Sequence, residues 1–127
     1  MRFYAHCISA DAKLGRGVAR TLDLHFDLRS KLFLMTLEVG SSFLVLSESI
    51  GVFNLVTKQR FYQKPTYNSL VLCLKSLRDQ CLDNDVKEIA IPLLGCGLDN
   101  LSWGRVSAII TAVFFLSDIN IVVYVKD

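Results

Sequence analysis

No stretch of this chain is long and apolar enough to span a bilayer: the longest apolar runs, such as Val106 to Leu116, stop well short of about 18 residues. The first residues, Met1-Arg2-Phe3-Tyr4-Ala5-His6-Cys7, carry neither the apolar stretch of a secretory signal nor the Arg- and Ser-rich character of a transit peptide. The expectation is an intracellular protein, cytoplasmic or nuclear, with no membrane association. Cysteine occurs four times, at Cys7, Cys73, Cys81 and Cys96, but never as C-x-x-C, so neither a zinc ribbon nor a redox pair is indicated. Reduced, mostly buried thiols are expected instead. His6 has no second histidine at ligand spacing and His25 sits on a helical face, so both are read as packing residues and no metal or other cofactor is expected. Net charge is only +2, too small to argue for a nucleic-acid partner from composition. No repeat, linker or low-complexity segment divides the chain.

What remains is a chain of 127 residues, 52% hydrophobic and 20% charged, which fits a single domain over 1–127 with a real core. Arg2 to Ser9 reads as a strand and runs directly into Gly15-Arg16-Gly17, after which Val18, Leu22, His25 and Phe26 have helical spacing to about Leu28. Residues 30–42 fit either a helix or a strand. Phe43 to Leu46 and Val52 to Thr57 predict a hairpin across a turn at Ser47-Glu48-Ser49-Ile50-Gly51, and the second strand delivers Lys58 at its end. Thr66, after Pro65, caps a helix whose face is Leu70, Leu74, Leu77 and Cys81 and which runs to about Asn84. Val86 to Leu93 predicts a strand buried on both faces, Ser102 to Leu116 a helix burying Val106, Ile109, Ile110, Val113 and Phe114, and Ile119 to Val125 the last strand. Alternating strands and helices with short connections predict an α/β fold with a mixed sheet.

The stretch Ile91-Pro92-Leu93-Leu94-Gly95-Cys96-Gly97-Leu98-Asp99 ends a buried strand in a Gly-x-Gly turn before a helix. Such a turn leaves backbone N–H groups beside a helix start, where an anion is favoured, and serves equally well as a tight end to a core strand. Gly15-x-Gly17 repeats the arrangement. Neither has the third glycine of a dinucleotide fingerprint or the Lys-Ser/Thr of a P-loop. In open α/β sheets ligands bind at the carboxyl ends of strands, and both turns and Lys58 lie at such ends.

Ala5-His6-Cys7-Ile8-Ser9, Gly15-x-Gly17, Thr57-Lys58-x-Arg60, Lys64-Pro65-Thr66-Tyr67 and Gly95-Cys96-Gly97-Leu98-Asp99 together resemble the macrodomains of the terminal ADP-ribose protein glycohydrolase type, in order and over nearly the whole chain. The resemblance implies a three-layer α/β/α domain with a mixed, mostly parallel sheet. It also implies ADP-ribose as ligand and its removal from modified Glu or Asp side chains of proteins, with ADP-ribosylated nucleic acid as a related substrate. Lys58 would be the nucleophile at the distal ribose and Asp99 its acid/base partner, with Arg60 a neighbouring cation. Gly15, Gly17, Gly95, Cys96, Gly97 and Leu98 would wrap the diphosphate and distal ribose, Ser9 would touch the ligand, and Tyr124 would lie near the adenine. Taken singly, Lys58 is also readable as a solvated strand-end lysine, Asp99 as a turn aspartate, Ser9 as a strand cap, Tyr124 as a sheet aromatic and Trp103 as helix-start packing. The family usually opens with a further strand and a Gly-Asp pair for the adenine. This chain begins with the strand that follows, so the expected sheet lacks the usual N-terminal one. The Asn-rich motif of the water-based macrodomain hydrolases is replaced by Ile8-Ser9-Ala10-Asp11. A non-catalytic ADP-ribose reader and an ADP-ribose 1''-phosphate phosphatase stay open as alternatives.

Overall fold

The computed structural model describes residues 1–13, 28–33, 35–96 and 99–125. Among the described residues five strands, β1 (Arg2–Ser9), β2 (Ser42–Leu46), β3 (Ile50–Lys58), β4 (Glu88–Ile91) and β5 (Asn120–Val123), form one sheet in the order β2-β3-β1-β4-β5. The β2-β3 hairpin is antiparallel, whereas β3-β1, β1-β4 and β4-β5 are parallel, so the sheet is mixed and mostly parallel. β2 and β5 are its edges among the described residues. Among the described residues the helices are α1 (Leu28–Phe33), α2 (Tyr67–Asp83) and α3 (Trp103–Phe114).

Side-chain alternation along β1 and β3 builds a core on each face. Ala5, Phe53 and Leu55 point to one side and pack with Leu70, Leu74 and Leu77 of α2 and Val106 and Ile110 of α3. Ile8, Val52 and Val56 point to the other and pack with Leu28 and Leu32 of α1. These two clusters are the interfaces of the three-layer arrangement. β3 is buried along all but its end residues, which is why its apolar run shows no polar face.

α2 starts where Thr66 accepts the Ser69 N–H at 3.0 Å while the Ser69 hydroxyl accepts the Thr66 N–H at 3.2 Å, a reciprocal cap. It ends at Asn84, whose N–H and side chain both bond the Gln80 carbonyl. The other elements match the expected order with trimmed ends. β4 stops at Ile91 because Pro92 has no N–H to continue the ladder, and β5 covers only the middle of its apolar run. Ile109, expected to be buried, is half-buried at the edge of the α3 face. The ambiguous segment 30–42 holds the end of α1 and a loop into β2. The expected helix from Val18 falls, apart from Leu28, outside the described residues.

All four cysteines are free. Burial pushes the Cys73 and Cys81 thiols up to about 12, and raises Cys7 further with help from nearby Cys73 and Asp99. Thiols so held stay protonated and unreactive. No helix among the described residues is long and apolar enough to cross a membrane.

Candidate functional site

Three chain segments leave the sheet at one edge. β1 and β3 are parallel and end side by side, with Ser9 opposite Lys58, and β4, also parallel to β1, leads into the turn that carries Asp99. The register between β1 and β3 slips by one residue here: Ile8 faces Val56, whereas the next residue, Ser9, faces Lys58. Thr57 is thus the extra residue of a β-bulge, buried, with its hydroxyl directed at the Ile8 carbonyl at 3.4 Å. Bulges bend a strand and re-aim the side chains that follow. The side chain re-aimed here is Lys58.

The Lys58 ammonium donates to Oδ1 of Asp99 at 2.7 Å, and the two side chains are only 15% and 18% exposed. Asp99 is held by the loop that delivers it. The Leu93 carbonyl accepts the Cys96 N–H at 3.1 Å, and the Gly95 carbonyl accepts the Leu101 N–H at 2.7 Å, closing the loop across Asp99. Gly95 takes φ +69°, a backbone that favours glycine, and a Cβ there would lie 2.7 Å from Cδ1 of Leu101, whose side chain would have to shift. Asn100, beside Asp99, also has a left-handed φ of 60°. The Cys96 thiol is turned back onto the Leu94 carbonyl at 3.2 Å. Where the loop enters α3, the Ser102 N–H bonds the Tyr67 hydroxyl at 2.9 Å, and the Arg105 guanidinium lies 3.9 Å from the centre of the Tyr67 ring. The starts of α2 and α3 therefore meet beside the site.

Ser9 is buried, and its hydroxyl donates to Asp11 at 2.5 Å. Arg60 is exposed, two residues past Lys58. Tyr124 is half-buried just beyond β5, its N–H bonded to the Ile91 carbonyl at 2.9 Å, and burial with nearby Tyr4 raises its phenol. Trp103 opens α3 and packs on the core. Gly15, Gly17, Gly97, Leu98 and His25 lie outside the described residues. Lys58, Asp99, Gly95 and Cys96 are therefore gathered at one sheet end, with Ser9 beside Lys58 on the neighbouring strand. Of the residues that brace them, Thr57 and Tyr67 stand in motifs that carry the resemblance but are given no role there, and Asp11 stands in the run Ile8-Ser9-Ala10-Asp11, again without a role. Ser9 and Asp11 do have the two-residue spacing of a local side-chain turn, the one signal available. Among the described residues no three His, Cys, Asp or Glu side chains gather as a metal would require.

His6, two residues below Ile8 on β1, shows what the sheet beneath the site does with a buried polar group. Asn54 gives both amide hydrogens to the Phe43 and Val52 carbonyls, at 2.9 and 3.1 Å, so its Oδ1 is the acceptor in the 2.6 Å contact with His6 Nε2. His6 is then the Nε2–H tautomer, and its buried Nδ1 has no partner among the described residues. Burial, only partly offset by Asn54, lowers its pKa from 6.5 to about 4. A neutral, structural histidine is the consequence.

The model of the Macro domain family matches residues 35–110. The human protein "ADP-ribose glycohydrolase OARD1" is 38% identical over 120 residues, 94% of this chain and 79% of the relative. Among solved structures, the macrodomain of Mycobacterium tuberculosis DarG superposes with a TM-score of 0.90 at 18% identity, covering 99% of this chain and 90% of that one. Thermosipho africanus DarTG in complex with ADP-ribose superposes at 0.88 and 20% identity, covering 99% of this chain and 38% of that one. With its five-stranded mixed sheet and these matches, the chain belongs to the macro domain family.

Proposed function

We propose that this chain is an ADP-ribosyl glycohydrolase that binds ADP-ribose and releases it from esterified Glu or Asp side chains. The observation that carries the reading is the 2.7 Å contact between Lys58 Nζ and Asp99 Oδ1 in a largely desolvated strand end. The name of the human relative supports the hydrolase activity, and the ADP-ribose in the DarTG structure supports the ligand.

The chemistry follows from the pair. Asp99 accepts a proton from the Lys58 ammonium, giving a free amine. As the bond from the anomeric carbon to the acyl oxygen breaks, the substrate carboxylate departs with the electron pair and the Lys58 nitrogen bonds that carbon. A water then displaces the nitrogen, giving up a proton that passes to the released carboxylate, and the proton on Asp99 returns to the leaving amine. The sum is one ester and one water converted to free ADP-ribose and a free carboxyl group. The amides of the Gly95 turn, and those of Gly15, Gly17, Gly97 and Leu98, are the groups assigned to the diphosphate and distal ribose, with Ser9 touching the ligand beside Lys58 and Tyr124 toward the adenine.

Replacing Lys58 by Ala tests the reading directly. Turnover of an ADP-ribosylated glutamyl peptide should fall by at least a hundredfold, of the order by which single nucleophiles contribute, while ADP-ribose still binds in calorimetry. Full turnover in that variant sinks the lysine mechanism, and tight binding with no turnover by the parent chain would identify a reader instead.

One observation favours a second carrier. Phe61 and Tyr62 follow Lys58, are 50% and 71% exposed, and stack edge to face at 5.5 Å beside the exposed Arg60. Exposed aromatics next to a cation suit unstacked bases, so ADP-ribosylated nucleic acid is the second substrate we assign to the same site. A Phe61→Ala, Tyr62→Ala variant should lose activity on an ADP-ribosylated oligonucleotide and keep it on the peptide.

A further inference from the structure

The chain on either side of Lys58 is tied down twice. The Lys58 carbonyl accepts the Ala10 N–H at 2.9 Å, and three residues later the Phe61 N–H donates to Oδ2 of Asp11 at 3.0 Å. The other oxygen of the same carboxylate takes the Ser9 hydroxyl at 2.5 Å and the Lys13 N–H at 3.3 Å. A single side chain thus joins the ends of β1 and β3 just past the bulge, where the regular ladder has run out. An ionised carboxylate suits the task, because it offers acceptor sites to several donors at once and needs no proton of its own. Partial burial favours the neutral form, but the bonds from Ser9, Phe61 and Lys13 outweigh it and hold Asp11 below its ordinary value. Lys13 closes the other side of the junction, its ammonium 4.8 Å from the centre of the Phe61 ring.

Two further features show that the junction is imposed rather than incidental. Ala12, next to Asp11, is buried and takes φ 55°, a conformation that persists only when its surroundings enforce it. On the other side, Arg60 to Gln63 form a self-contained turn. The Arg60 carbonyl accepts the Gln63 N–H at 3.0 Å, and the Gln63 side chain accepts the Arg60 N–H at 2.8 Å. Such a turn keeps its own internal bonds without Asp11, and it begins two residues past Lys58.

We propose that Asp11 is a positioning residue for the reaction, clamping the Lys58–Phe61 segment to the end of β1 so that the Lys58 amine is held at its working distance from Asp99. The inference rests on the reading of Lys58 as nucleophile. Asp11 itself is not assigned a contact with substrate.

Phe61→Pro isolates the clamp. Proline suits the second position of the Arg60–Gln63 turn and removes only the N–H that Asp11 accepts; Phe61→Ala removes the same ring and keeps that N–H. In single-turnover assays on an ADP-ribosylated glutamyl peptide, Phe61→Pro should be at least tenfold slower than Phe61→Ala, with ADP-ribose dissociation constants within threefold in calorimetry. Asp11→Ala should show the same rate loss. Asp11→Asn should recover most of it, since a flipped amide can accept from Phe61 and donate to the Ser9 hydroxyl. Equal rates for Phe61→Pro and Phe61→Ala, or a rate loss matched by an equal loss of affinity, overturn the proposal. Running Lys58→Ala alongside separates the two ideas. Lost turnover there with an intact Phe61→Pro rejects the clamp alone, and unchanged turnover in Lys58→Ala rejects both.

Discussion

The hydroxyl of Tyr67, the first residue of α2, accepts the backbone N–H of Ser102, the residue before α3, at 2.9 Å. This bond joins two helix starts 35 residues apart and braces the loop that holds Asp99 from its far end. Tyr67→Phe keeps the ring against Arg105 and deletes only the acceptor, so the stability loss should be about 1 kcal/mol, or roughly 3 to 5 °C in melting temperature. Calorimetric melting checks the size. Arg105→Ala, which leaves the Ser102 bond intact, should cost less, about 0.5 kcal/mol.

Asp99→Asn keeps the shape of the loop but cannot take a proton from Lys58. General acid and base groups contribute on the order of 100-fold to 10,000-fold to rate, and turnover should drop within that range with ADP-ribose affinity little changed. Stopped or quenched time courses on an ADP-ribosylated glutamyl peptide measure it. A variant as fast as the parent removes Asp99 from the chemistry.

Gly95→Ala should be costly for two separable reasons. The left-handed φ of +69° penalises any side chain by about 1–2 kcal/mol, and the new Cβ meets Leu101 at 2.7 Å. Adding Leu101→Ala removes the collision and not the backbone penalty. The double variant should therefore bind ADP-ribose better than Gly95→Ala alone, although Leu101 itself packs on the core. Equal affinities for the two would mean that the collision is absorbed elsewhere.

Acid should weaken the fold through His6. Its folded-state pKa, about 4, lies below the ordinary 6.5, so the native state prefers the neutral ring. This contribution is fully present above pH 6.5 and is lost as pH falls toward 4, amounting to roughly 3 kcal/mol once the unfolded state alone is protonated. Urea midpoints between pH 7 and pH 4 follow it. In His6→Gln, which keeps a donor for Asn54 without the titrating ring, the decline over that window should flatten.

The sheet and the long helices were legible because burial on these elements follows their period. The β1 range Arg2–Ser9 and the Thr66 cap of α2 were readable residue by residue. Residues 30–42 were not, since Leu32-Phe33-Leu34-Met35 satisfies either period; docking of Leu28 and Leu32 onto Val52 and Val56 is what makes the first part helical. At the site, the need for glycine at position 95 was visible in the turn chemistry. Lys58 was legible as a strand-end lysine and Asp99 as the carboxylate of the turn, but the resemblance alone paired them, because their 2.7 Å contact bridges 41 residues of sequence. The bulge at Thr57 left no trace in the sequence: a buried threonine in a β-branched run looks like ordinary strand. Asp11 was hidden for a similar reason, as its partner across the sheet end is a backbone N–H, which every residue but proline supplies.

For anyone stabilising this chain, Thr57 is a trap. Removing it would let Ser9 face the residue after Val56 without a slip, giving a longer regular ladder between the two central strands. Lys58 would stay opposite Ser9 but lose the bend of the bulge, which re-aims its side chain toward Asp99, 2.7 Å away. Screens that reward only melting temperature would favour the shorter strand, so a stabilised library of this protein has to be sorted on turnover as well.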